Sequence, residues 1–392
     1  MPYYRRVGEV PPKRHTQFRR PDGVLYNEEL ISQQGFSSSG SLLYHRERPT
    51  IIAKAETVSL SAPELTVNGP LQPRMFNTTE LPVGGDLVLG RHLVLGNAEV
   101  DLNYAAADRD SELYRNALGD EVIFVESGEA RLESVFGLLD VSTGDWVVVP
   151  SNTTHRWVIT AGPVRAVVIE SRGHAGPPKR YLTEYGQFLE GAPYCERDLH
   201  GPDQPLVVDD AECSVLVRHP GGFTRYMYRH HPFDVVGWDG TVWPYRLNVR
   251  DFEPIVGRIH QPPPVHQTFE GPGFVLCSFV PRPFEFGEGS IPVPYNHSNV
   301  DSDEVIFYVA GDFMSRKGSG VGQGSITLHP SGFIHGPQPG SVEAAVNQTR
   351  TDEVAIMLDT FKPLLLGPAA RETEDTQYAW SWARGEDRLQ QG

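Results

Sequence analysis

Hydrophobic positions in this chain fall in short runs separated by turn residues, and few stretches carry a long helical period. Val305-Ile306-Phe307-Tyr308-Val309 is a β-branched and aromatic run directly after Asp303-Glu304, and it predicts a buried strand. Gly324, Pro330 and Gly332 punctuate a second strand, expected to end near His335. Ile51–Leu65 and Leu87–Leu102 alternate well enough for strands, and a short helix is expected near Tyr181–Leu189. Glycine (39) and proline (33) are plentiful. With so few helical periods, this predicts a mainly all-β chain of sandwich or barrel type.

The strand pattern occurs twice. Residues 114–128 read YRNALGDEVIFVESG and residues 297–311 read HSNVDSDEVIFYVAG. Asn116, Asp120, Glu121 and Gly128 match Asn299, Asp303, Glu304 and Gly311. Further on, Gly144, Pro150 and His155 match Gly324, Pro330 and His335. A repeat on this scale means two similar folding units in one chain.

The copies differ in chemistry. The second offers His297, Glu304, His329 and His335; the first has Tyr114 in place of His297 and Val149 in place of His329. Two antiparallel strands could aim His297, Glu304 and His335 at one point. Two imidazoles and a carboxylate make a facial triad with open positions, a donor set suited to non-haem Fe(II), although ligand type alone leaves Mn or Ni open. Glu121 and His155 are too few to hold a metal alone, so the first copy reads as structural. Gly318–Gly324 lacks the strand-before, helix-after context of a phosphate loop and reads as a turn.

His297, then Glu304-x6-Gly311, then Gly324-x5-Pro330-x-Gly332-x2-His335, resembles the two signature motifs of the cupin superfamily. That resemblance implies a bicupin: two jelly-roll-type β-barrels with short helices. His297-x-Asn299 in place of the usual His-x-His resembles the homogentisate 1,2-dioxygenase family. So do Pro232–Asn248 (PFDVVGWDGTVWPYRLN) and Leu25–Leu30 with Leu43-Tyr44. The resemblance implies an Fe(II)-dependent enzyme that opens homogentisate with O2 to maleylacetoacetate, in tyrosine and phenylalanine breakdown. His297, Glu304 and His335 would be the metal ligands, and His260 or His329 the acid–base residue. The family carries a Tyr where this chain has Phe313. Arg316 or Lys317 is then the expected partner of the substrate carboxylate, or the substrate is another 2,5-dihydroxylated aromatic such as gentisate. A metal-binding bicupin without turnover is the reading from another class. The family's trimers, paired into hexamers, imply a homo-oligomer.

In chain order, the expected organisation is an N-terminal arm (1–50), a β domain with a metal-free cupin core (51–225) and a connecting segment (226–260). The catalytic cupin (261–368) and a tail (369–392) follow. A formal charge of −16 argues against nucleic-acid or membrane-surface partners. Cys195, Cys213 and Cys277 lack metal spacing and read as free thiols of a reducing cytoplasm. The basic start of the chain has no apolar core and is not expected to act as a secretory signal. Tyr378, Trp380 and Trp382 suggest that the tail docks on the body or on a sister subunit, with a frayed tail as the alternative.

Overall fold

The protein, in a computed structural model, is described for residues 3–60, 62–210 and 212–391. It divides into two compact units. The first holds the chain up to Ala62, Val83–Arg91 and Tyr104–Asn248; the second holds Pro63–Pro82, His92–Asn103 and the chain from Val249. Strands dominate both, and helices are short: Ser341–Ala345, Pro368–Glu372 and Ser381–Gln391. No helix among the described residues is long and apolar enough to cross a membrane.

In the first unit the long strand Glu121–Ser134 pairs antiparallel with His155–Ser171 on one side and Asp145–Val149 on the other. Register shifts between Ile159 and Ala166 bend the long pair, which lets one ladder wrap around a barrel. Ile123, Leu132, Val147, Trp157 and Val168 fill the interior. The stretch read as an arm contains strands Arg5–Gly8, Asn27–Ser32 and Gly40–His45, which form one sheet with Val235–Gly240. That sheet is pinned by His45, buried between Asp234 (2.6 Å) and Glu29 (2.9 Å).

The sheet of the second unit runs in the order Gln267–Gly271, Phe274–Phe279, Val354–Thr360, Asp303–Ala310, Ser325–His329, Arg74–Asn77. The expected strand over 305–309 is present as Asp303–Ala310. The following strand stops at His329 rather than near His335. Pro330 has no N–H for the ladder, and Gly332 turns the chain at φ +88°. His335 instead returns as an isolated bridge to His297. No helix forms over Tyr181–Leu189: a single 3-10 turn, Lys179–Tyr181, gives way to a bridge between Leu182 and Phe188, with Gly186 in the left-handed region.

The sequence repeat is a structural repeat. Glu121 faces Val149 and Glu170 across its neighbouring strands, as Glu304 faces His329 and Asp359. Asp120 accepts from the backbone N–H of Ser151 and Ala175; Asp303 accepts from those of Ser331 and Leu364. Gly128 and Gly311 both sit at positive φ, and a Cβ at either would strike a backbone carbonyl, of Pro163 and Asp352 respectively.

Candidate metal centre

Asp303 and Glu304 are neighbours on one strand, so their side chains leave on opposite faces. Asp303 turns to backbone N–H groups, and Glu304 turns to the histidines. The bridge between residues 297 and 335 brings both of those imidazoles to Glu304, and strand register brings the third, His329. One donor atom from each of His297, Glu304 and His335 lies within 4.8 Å of the other two.

The tautomers follow from the hydrogen bonds. His297 Nδ1 donates to Tyr295 O (3.1 Å) and His335 Nδ1 donates to Phe333 O (3.2 Å). In their neutral forms both rings therefore present a bare Nε2 lone pair. Those two Nε2 atoms face Glu304, at 3.4 Å to Oε2 and 3.2 Å to Oε1. Lone pairs converging on a carboxylate call for added positive charge, as protons on the rings or as one cation between them. Two imidazoles and a carboxylate with backbone-anchored Nδ1 atoms are the donor set that divalent transition metals take, so the residues fit such an ion.

His329 has a different place. It is fully buried, with Nδ1 2.8 Å from Glu304 Oε1 and Nε2 2.8 Å from the Tyr378 hydroxyl. Its ring stacks on His335 at 4.3 Å. Burial and the nearby Arg316 charge push its pKa down to about 3, so the ring is neutral. Burial would raise the Glu304 pKa, but the three imidazoles around its carboxylate hold it well below the usual carboxylate range.

The other expected site residues are dispersed. His260 is exposed, 3.3 Å from Glu285, and its ring meets that of Tyr295, which in turn meets His297. His266, six residues on, packs against Phe279, and burial takes its pKa down to about 3. Arg316 is buried and committed to protein acceptors, Tyr308 Oη (3.1 Å) and Gly336 O (2.6 Å). Lys317 is exposed and lines a groove with Asp312 and Met314. Phe313 is half-buried with its ring against Tyr308.

Three residues around the Glu304 and Glu121 carboxylates carried no motif in the sequence. Asp359 sits opposite Glu304, its Oδ1 buried without a partner; burial and the Glu304 charge push its carboxyl up to about 8. Register alone could have located it, as the counterpart of Glu170. Tyr378 was marked only as a tail aromatic. Arg91 of the first unit had no signal: its guanidinium grips Glu121 with two N–H groups, each at 2.9 Å, and Glu170 at 2.6 Å.

Two barrels of one repeat, one of them with a histidine–carboxylate cluster, define a bicupin. The family model for the homogentisate 1,2-dioxygenase N-terminal region matches residues 89–249. A protein of Saccharolobus solfataricus named "Putative dioxygenase SSO1533" is 40% identical over 97% of this chain and 99% of its own length. Homogentisate 1,2-dioxygenase of Nitrobacter hamburgensis is 28% identical over 97% of this chain and 91% of its own. The chain belongs to the homogentisate 1,2-dioxygenase family.

Proposed function

We propose that the protein is an Fe(II)-dependent ring-cleaving dioxygenase that opens homogentisate to maleylacetoacetate in the breakdown of tyrosine and phenylalanine. The observation that carries this is the convergence of His297 Nε2, His335 Nε2 and Glu304 within 4.8 Å, with both Nδ1 atoms tied to backbone carbonyls. Fe(II) held by these three would supply a centre at which O2 and a phenolate bind side by side.

The remaining work falls to the chain's own groups. His329 has both nitrogens engaged, so its role is to hold Glu304 in place. His260, exposed and partnered through Nδ1 by Glu285, is the residue to take the phenol proton on Nε2. Arg316 is spent on Tyr308 and Gly336, which leaves Lys317 as the cation for the substrate carboxylate. Phe313, its ring against Tyr308, stands at the position where the family carries a Tyr and offers no hydroxyl to the substrate. Val300 and Ile334, 90% and 71% exposed beside the ligand residues in sequence, support a homo-oligomer that covers them. Three free thiols support a reducing compartment such as the cytoplasm.

The test is anaerobic Fe(II) loading followed by oxygen uptake with homogentisate and, in parallel, gentisate. Rapid uptake with homogentisate alone is expected. Uptake with gentisate alone would move the substrate. Uptake with neither, despite one tightly held iron per chain, would leave a metal-binding bicupin without turnover.

A further inference from the structure

We propose that Tyr378 is a positioning residue of the metal centre, and that the C-terminal segment carrying it sets the centre's metal affinity. The proposal rests on the reading of His297, Glu304 and His335 as ligands.

The segment is anchored rather than loose. Asn77 N donates to Thr373 O (2.9 Å), Asp375 N donates to Met75 O (2.9 Å), and Glu374 pairs with Arg74. Further along, Gln338 Nε2 donates to Ser381 Oγ (2.9 Å), and Trp382 Nε1 donates to Gly336 O (3.2 Å), one residue beyond His335. Arg316, whose guanidinium lies over the Trp382 ring, donates to the same carbonyl. The segment thus grips the loop that delivers one ligand histidine.

Tyr378 reaches the other side of the centre. Its side chain is fully buried, and its ring packs against Trp382 at 5.4 Å. The Glu304 carboxylate can only accept, so His329 Nδ1, at 2.8 Å from Oε1, carries the ring proton. His329 Nε2 is then a lone pair, and the Tyr378 hydroxyl at 2.8 Å is the donor that meets it. Without that hydroxyl, Nε2 is buried and unsatisfied. The tautomer with its proton on Nε2 would become competitive, and it would set the Nδ1 lone pair against Glu304. Tyr378 therefore locks His329 in the one state that orients Glu304 for a cation. Partners at this remove from a metal typically change affinity about 10- to 100-fold.

Tyr378→Phe deletes only the hydroxyl and keeps the ring. Co(II) is titrated into the full chain, followed by visible absorption and calorimetry, with a thermal melt of each variant. The expected result is a Co(II) dissociation constant raised about tenfold, with shifted ligand-field bands and a nearly unchanged melting temperature. In a cycle with His329→Gln, the double variant should bind no worse than His329→Gln alone, because Tyr378 acts through that ring. Wild-type affinity and spectrum in Tyr378→Phe, or additive losses in the cycle, would overturn the proposal. A wild-type chain that binds no Co(II) would overturn the metal-centre reading beneath it, which is a separate and distinguishable result.

Discussion

Glu121 and Glu304 occupy the same place in two copies of one strand, and they are neutralised in opposite ways. Glu121 accepts from Arg91, Asn116 and the Tyr114 hydroxyl, each at 2.9 Å. Burial would raise its pKa, but the Arg91 charge takes it down to about 2. Glu170 on the adjacent strand shares Arg91 and also pairs with Arg218. In the first unit, then, the positive charge is a side chain, and nothing further is required. Around Glu304 the donors are three neutral-capable imidazoles, and the matching carboxyl, Asp359, keeps a buried oxygen without a partner. Even the ligand-type histidine of the first unit is retained in its old posture. His155 Nδ1 donates to Thr153 O (2.9 Å), as His335 Nδ1 does to Phe333 O, but burial keeps its ring neutral and its Nε2 meets no partner. One scaffold thus carries a fixed internal cation in one copy and, in the other, a donor set that fits an exchangeable one. Arg91 in one copy and the histidines of the other make the difference.

Removing the carboxylate from the second centre should have the largest effect. Glu304→Gln takes away the anionic ligand and the acceptor for His329, and metal affinity should fall about 100-fold or more. Calorimetric titration with Fe(II) under argon measures it, and wild-type affinity in this variant would remove Glu304 from the ligand set. Next is Arg91→Met in the first unit, which leaves Glu121 and Glu170 buried without their shared cation. Breaking a buried pair this way costs about 3–5 kcal/mol, read as a lowered melting temperature or urea midpoint. A variant as stable as wild type would show that Arg91 is not the counter-charge described here.

A pH ramp addresses the first unit separately, through His45. Burial opposes its charging, but the hydrogen bonds that its ring donates to Asp234 and Glu29 prevail and raise its pKa from 6.5 to about 9. Below about pH 6.5 folded and unfolded chains both hold the proton, and the stabilisation is fully present. As pH rises toward 9 the unfolded state has already released it, so up to about 3 kcal/mol is lost across that window. His45→Gln should flatten this alkaline slope in urea denaturation at pH 6 and pH 9; an unchanged slope would assign it to other groups. The smallest contrast lies between matching asparagines. Asn116→Ala removes a donor from buried Glu121 and should cost about 1–2 kcal/mol. The equivalent change, Asn299→Ala, deletes an Nδ2 that has no acceptor, and should stay within about 0.5 kcal/mol. Equal costs at the two positions would contradict the contrast.

Much of the centre was legible in the chain because its donors sit at repeat positions. His297, Glu304 and His335 could be paired off against Tyr114, Glu121 and His155 by alignment alone, and the spacing to Gly311 with the match to Glu121 favoured Glu304 over Asp303. His329 was legible as a pocket histidine, but not as one whose two nitrogens are already engaged. The strand end was misplaced because the spacing of Pro330 and Gly332 marks a turn without showing which way the chain leaves it. Arg316 looked free to meet a substrate; its acceptors, Tyr308 and Gly336, are 8 and 20 residues away, beyond any local pattern.

The sequence by itself determined the mainly β architecture, the two-copy plan and the inequality of the copies, because side-chain period, turn residues and repeated motifs are local properties. Tertiary structure alone decided which charge each carboxylate meets. Arg91 reaches Glu121 across 30 residues and Tyr378 reaches His329 across 49. Such contacts are set by how ladders register and how loops return. Electrostatics and hydrogen bonding act through space, so the groups that tune a site need not lie near it along the chain.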